Sequence, residues 1–246
     1  MRQHLILGWL YPDLMSIYGD RGNIITLTKR AQWRDIDITV KRIDQTSSSN
    51  DLATCDLLMM GGAQDRQQTI VALDLQKKKQ VLSEMIEKGI PGIYICGGFQ
   101  YLGKYYKEAD GTHIEQLGVL DVWTENPGGK RLIGNIAVDA STFLGNKTIL
   151  VGFENHGGRT RLGKNVRPLG KVIKGFGSNA EDHTEGSIYI NSIGTYLHGP
   201  ILPKNPTLAD FLIQKALEKK YQTAVELKPL DDLLAMRAHD AIMKKM

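Results

Sequence analysis

Short apolar runs alternate with longer amphipathic stretches through the first hundred or so residues. Residues 4–10 are apolar and predict a strand, which Tyr11-Pro12-Asp13 breaks. Residues 16–23 read as a polar, glycine-containing turn. Asn23 is placed to cap a helix running to residue 34, with Ile24, Ile25, Leu27, Ala31 and Trp33 as its apolar positions. Residues 37–43 alternate as a second strand does, and residues 46–50 form a serine-rich loop. Residues 55–60 predict a third strand, ended by Gly61-Gly62. In residues 71–88, Val71, Leu75, Leu82, Met85 and Ile86 recur on one helical face while the lysines face water, and Gly89 and Pro91 stop the helix. Residues 92–95 predict a fourth, buried strand, and residues 99–106 the helix after it. This alternation predicts an α/β fold with a mostly parallel sheet flanked by helices.

From Leu117 the pattern changes. Residues 119–123, 131–139, 148–153, 171–173, 187–190 and 194–197 read as short strands joined by glycine-rich turns such as Asn126-Pro127-Gly128-Gly129. This more β-rich half is expected to extend the sheet. Helices over 207–221 and 231–246 close the chain. With no strong linker, residues 1–246 are expected to form a single domain, with the last helix docking on the fold or on a partner.

Composition narrows the class. The 246 residues are 41% hydrophobic, enough for a sizeable core. Two cysteines, Cys55 and Cys96, read as thiols in a reducing compartment rather than as a disulfide framework. No apolar run approaches ~18 residues and no signal-peptide pattern opens the chain, so a cytoplasmic protein is expected. The net charge of +4 sits largely in lysine-rich stretches with no interleaved aromatics, which argues against nucleic acid. No His, Cys and carboxylate group has metal-ligand spacing, and there is no P-loop.

The candidate chemistry starts at Cys96, on the turn between the fourth strand and the helix that follows. Gly97 and Gly98 permit a sharp bend there, the geometry of a nucleophile elbow. The helix N-terminus favours a thiolate, and the Gly97 amide can face a developing oxyanion. A cysteine at a strand end is otherwise a small core residue, but the Gly-Gly and strand-to-helix context favours the nucleophile. Gly62, after the third strand, is either a second oxyanion donor or part of an ordinary turn. Both lie at carboxyl ends of strands, where such sheets place their sites. Cys55, at the opposite end of its strand, reads as structural. A cysteine nucleophile needs a base, and spacing alone leaves His156 and His198 both open.

Tyr94-Ile95-Cys96-Gly97-Gly98-Phe99-Gln100 and Leu197-His198-Gly199-Pro200 resemble the nucleophile and histidine motifs of class I glutamine amidotransferases, in the cobyric acid synthase-like branch. Tyr18-Gly19-Asp20-Arg21-Gly22-Asn23, Gly61-Gly62-Ala63-Gln64-Asp65-Arg66-Gln67, Arg131-Leu132-Ile133-Gly134-Asn135 and the run from Gly152 to Thr160 narrow the likeness. They resemble the glutaminase subunits of lipid II isoglutaminyl synthases, over roughly residues 4–206. The resemblance implies a flavodoxin-like fold and attack of Cys96 on the side-chain amide of L-glutamine. It makes His198 the acid and base, Gly62 and Gly97 the oxyanion donors, and Arg131, Gln100 and Gln64 substrate contacts. It also implies a heterodimer with a MurT-type, Mur-ligase-like subunit that would hold ATP and Mg, with no cofactor in this chain. That complex would amidate the D-glutamate of lipid II to D-isoglutamine at the inner face of the membrane. One position departs from the pattern: Pro200 stands where many class I members carry a triad glutamate. Glu154, Asp182 and Glu185 are then candidates for a third member, and His156 falls to a structural or substrate-loop role. An amidotransferase for a cobyric acid-type substrate, or a docking subunit without chemistry, are the competing readings.

Overall fold

The computed structural model describes residues 2–16, 19–62 and 65–246, with the side chains of residues 65–69 left aside; Tyr18 and Gln64 lie outside the described residues. The strands are β1 (His4–Leu10), β2 (Asp37–Ile43), β3 (Leu57–Met60), β4 (Gly92–Ile95), β5 (Tyr105–Lys107), β6 (His113–Glu115), β7 (Val122–Glu125), β8 (Leu132–Asp139), β9 (Ile149–His156), β10 (Arg159–Leu162), β11 (Gly170–Lys174), β12 (Thr184–Glu185), β13 (Ser187–Tyr189) and β14 (Ser192–Thr195). The helices are α1 (Arg21–Gln32), α2 (Ser49–Ala53), α3 (Asp65–Glu87), α4 (Gly97–Leu102), α5 (Ser141–Leu144), α6 (Pro206–Tyr221) and α7 (Leu233–Met243).

The main sheet has the order β13-β14-β4-β3-β1-β2. Its pairs from β14 through β2 are parallel, and only β13 runs antiparallel, against β14. Every residue of β3, β4 and β14 is buried, as expected of strands covered on both faces. The strand-helix alternation of the first half is therefore as the apolar pattern predicts.

The β-rich half departs from expectation. Only β13 and β14 extend the main sheet; the remaining strands build two four-stranded sheets, β10-β7-β5-β6 and β12-β11-β8-β9. The helix after Cys96 also stops at Leu102 rather than Tyr106. Gly103 passes so close to β7 that a Cβ there would stand 2.9 Å from the Val122 carbonyl oxygen, and the chain turns into β5. The loop over residues 46–50 includes the start of α2, nucleated by a capping box between Ser48 and Asp51. At α1 the helix begins at Arg21, with Asp20 in the N-cap position. Asn23 is inside the helix and buried, and its Oδ1 accepts from the Leu202 amide at 2.9 Å.

Two fastenings matter below. Arg30, its side chain 5% exposed, donates to Asp210 on α6 and to Asp232 just ahead of α7, while Arg34 donates to Asp210 and to the Lys228 carbonyl. Together with His239 Nε2 on the Ile149 carbonyl at 3.1 Å, these bonds seat α7 on the chain's own fold. Along β9, Asn205 bonds both the amide and the carbonyl of Val151, and Phe153 exchanges backbone hydrogen bonds with His198.

Candidate active site

Cys96 sits between β4 and α4 with φ +52° and ψ −108°. A residue with a Cβ in that region costs on the order of 1–3 kcal/mol, so the surrounding bonds must enforce it. They do: Cys96 N–H donates to the Thr195 carbonyl at 2.8 Å, and Gln100 N–H donates back to the Cys96 carbonyl at 2.9 Å. Gly98 N–H donates to the Gly61 carbonyl at 3.2 Å. A Cβ on Gly98 would stand 2.9 Å from the carbonyl oxygens of both Met60 and Gly61, so glycine is required where the elbow meets the end of β3. The predicted elbow is thus present, and Gly97 opens its helix, where amides lack intrahelical acceptors.

His198 follows β14 and is fully buried. Its place relative to the thiol is fixed by Gly62, where a Cβ would lie 3.4 Å from Cys96 Cβ, 3.5 Å from His198 Cε1 and 3.9 Å from Cys96 Sγ. Gly62, Cys96 and His198 therefore converge on one small space at the carboxyl ends of β3, β4 and β14. Burial, with smaller contributions from His156 and the Arg131 charge, pushes the His198 pKa down to about 3. The imidazole is neutral at physiological pH.

The other predicted residues are placed as follows. The Gly62 N–H is directed at Asp20, donating to Oδ2 at 3.2 Å. Gln100 is buried, and its Nε2 donates to the Tyr196 hydroxyl at 3.0 Å, so it braces the floor of the site. Arg131 is exposed; its Nε and Nη2 donate to Oδ1 and the carbonyl of Asn155 at 2.8 and 2.9 Å. Its Nη1 lies beside Gly157, where a Cβ would stand 3.6 Å away. Gln64 lies outside the described residues. Cys55 is buried at the far end of β3, and burial pushes its thiol up to about 11, consistent with a structural residue.

Each carboxylate considered for a third member accepts hydrogen bonds from other groups, although Glu185 Oε2 has no hydrogen-bond partner among the described residues. Glu154 accepts from the amides of Phe176 and Gly177 at 2.7 and 3.0 Å and lies 3.9 Å from His156 Nε2. Asp182 accepts from Asn179 and Thr184, each at 2.7 Å. Glu185 accepts from the Thr195 hydroxyl at 3.0 Å and the Tyr196 amide at 2.5 Å. Burial pushes Glu185 up to about 8, so it is largely protonated at neutral pH.

Sequence reasoning left His156 to a structural or substrate-loop role and assigned none to Tyr196. His156 stacks on Tyr196, with centroids 3.8 Å apart and planes 12° off parallel. Its Nδ1 donates to the Gly158 carbonyl at 2.7 Å, fixing the ring. The Tyr196 hydroxyl meets Thr160 at 2.6 Å, and Thr160 meets Thr124 at 2.7 Å. Asp20 was missed as well. The only sequence signal was placement: Tyr196 stands two residues before His198, and Asp20 stands in a Gly-Asp-Arg-Gly turn.

Among the described residues, no group of His, Cys, Asp and Glu is arranged to hold a metal ion. Residues 6–206 match the CobB/CobQ-like glutamine amidotransferase domain. The chain is 43% identical over 233 residues to the lipid II isoglutaminyl synthase (glutamine-hydrolyzing) subunit GatD of Staphylococcus aureus, covering 95% of this chain and 92% of that one. It is 31% identical over 221 residues to a probable cobyric acid synthase of Methanococcus maripaludis, covering 83% of this chain and 42% of that protein. A solved glutamine amidotransferase superposes with a TM-score of 0.55 at 16% identity, covering 85% of this chain and 98% of that one, which supports the fold alone.

Proposed function

The chain belongs to the CobB/CobQ-like glutamine amidotransferase family, and on that premise we propose that it is the glutaminase subunit of a lipid II isoglutaminyl synthase. The observation that carries this reading is the convergence of Cys96, a neutral buried His198 and the Gly62 backbone on one space. Near-complete mutual coverage with the GatD subunit favours it over a cobyric acid-type amidotransferase, since this chain spans under half of that relative.

His198 accepts the thiol proton of Cys96, and the sulfur attacks the side-chain carbonyl carbon of L-glutamine. The tetrahedral intermediate places its negative oxygen toward the backbone amide at Gly97, with Gly62 a second donor only once its N–H gives up Asp20; one such donor is worth roughly 100- to 1000-fold in rate. His198 returns its proton to the amide nitrogen, the C–N bond breaks and ammonia leaves. The remaining thioester is attacked by water as His198 takes a water proton; glutamate departs and the thiol is restored. Arg131 pairs with the glutamine α-carboxylate. Released ammonia is consumed by a MurT-type, Mur-ligase-like partner that binds ATP and Mg and amidates D-glutamate in lipid II, the heterodimer working in the cytoplasm at the inner face of the membrane. No helix among the described residues is long and apolar enough to cross a membrane.

The test is glutamate release from L-glutamine by the purified chain, alone and with the ligase subunit, against Cys96→Ala. Release that requires Cys96 and is stimulated by the ligase supports the reading; equal release by Cys96→Ala, or none with or without the ligase, rejects it.

A further inference from the structure

We propose that the cavity between the first turn of α6, the turn ahead of β9 and α7 is a binding site for a phosphate group. The inference does not rest on the glutaminase reading, and its test reads binding rather than turnover. The cavity measures about 240 Å³, far more than the ~15 Å³ that a single water needs. Lys147, Lys204 and Thr207 border it on its polar side, and Ile149 and Met236 on its apolar side. Among the described residues, no acidic side chain lines it. Its wall is already in place, since His239 of α7 bonds the Ile149 carbonyl.

Lys204 carries the argument. It is half-buried, and its Nζ donates to the Gly199 carbonyl at 2.5 Å. An ammonium has three hydrogens to donate, so this neutral acceptor leaves two. Burial pulls the Lys204 pKa down, and no nearby carboxylate offsets it. A cation taken out of water is ordinarily paired, so Lys204 is a charge in want of an anion. Lys147 brings a second positive charge to the same cavity. The start of α6 adds to both. Its N-cap residue, Asn205, makes no side-chain cap, because its amide group is bonded to Val151 and to the Ile201 carbonyl. Pro206 has no N–H, and the amide of Thr207 has no acceptor within the helix. Two ammonium groups and a helix start match the charge and the several oxygens of a phosphate. A neutral ligand would leave Lys204 uncompensated. Ile149 and Met236 offer a dry surface to whatever carries the phosphate.

The test titrates the full chain with sodium phosphate, by isothermal titration calorimetry and by thermal melt, against sodium chloride at equal ionic strength. Phosphate at about a hundred times its Kd should raise Tm by roughly 5–10 °C, and chloride should not. Lys204→Met keeps the apolar stem and removes the charge. It should weaken phosphate binding at least about tenfold, the scale of one charge-assisted hydrogen bond. Lys147→Gln, at an exposed position, should weaken it by a smaller factor, and it decides if Lys204→Met fails to fold. Two further ligands distinguish the source of the phosphate. Tighter binding of sn-glycerol 3-phosphate or of ADP than of inorganic phosphate upholds the site and assigns it a headgroup-type or a nucleotide carrier. Weaker or equal binding of both upholds it as a site for the free anion. No heat and no Tm shift beyond that of chloride overturns the site, as does phosphate binding that is unchanged in the variants.

Discussion

Gly62→Ala separates the chemistry of the site from its packing. The added methyl would lie 3.4 Å from Cys96 Cβ, 3.5 Å from His198 Cε1 and 3.9 Å from Cys96 Sγ, all ordinary van der Waals separations. Gly62 is also absent from the residues with positive φ, so alanine adopts its backbone without left-handed strain. The fold should therefore accept the change. Burying one methyl is worth about 0.8 kcal/mol, and removing a glycine from the unfolded chain about 0.4–1 kcal/mol. In a chain of this size, about 1 kcal/mol moves Tm by roughly 2–4 °C, here upward or not at all. Catalysis should respond in the opposite sense. The carbon that bonds to sulfur must enter the space between Sγ and the imidazole, which the methyl fills. Displacing a reacting group by about 1 Å can cost on the order of 100-fold, so kcat/KM for glutamine should fall at least that far. The assay pairs glutamate release with a thermal melt on the same preparation. Full activity, or a drop in Tm large enough to account for the loss, would refute the placement of Gly62 between nucleophile and base.

Glu185→Gln tests the buried acid beneath the site. Its folded pKa of about 8 lies above the ordinary 4.5, so its contribution to stability is complete below about pH 4.5 and is lost as pH rises through 8. Urea melts at pH 5, 7 and 9 should show wild type losing up to a few kcal/mol across that range, while the glutamine variant stays flatter; parallel slopes would contradict the assignment. Arg131→Ala should raise KM for glutamine by about 10- to 100-fold, the value of a charge-assisted contact, with a smaller effect on kcat. Unchanged KM would remove Arg131 from the α-carboxylate.

What the sequence discloses here follows from which interactions are local. The elbow is written in consecutive residues: four buried positions from Gly92 to Ile95, then Cys96, then two glycines, of which Gly98 has no room for a Cβ beside the Met60 and Gly61 carbonyls. His198 is recognisable once its motif is paired with that of Cys96, although spacing alone left it level with His156. The structure separates them, because β9 turns His156 flat against Tyr196 while the Phe153–His198 bridge brings His198 to the thiol's side. Asp20 could not be read the same way. Its partner is 42 residues distant, and by local rules an aspartate ahead of a helix caps that helix. The second and third sheets were hidden for a related reason. Strands as short as Tyr105–Lys107 and His113–Glu115 carry too few alternations to show a period; β5 forms on the edge of β7, and β6 on β5.

The backbone of His198 has a second duty, as a seal on exposed strand edge. β9 is the last strand of its sheet and eight residues long, and an open edge of that length invites another chain to add a strand. Alternate residues along it are met in turn: the Ile149 carbonyl by His239, Val151 by Asn205, and Phe153 by the amide and carbonyl of His198. Replacing the imidazole leaves that seal in place, since only main-chain atoms of residue 198 take part. A proline at position 198, which removes the amide, would open the edge at Phe153, and its signature would be self-association as much as lost turnover.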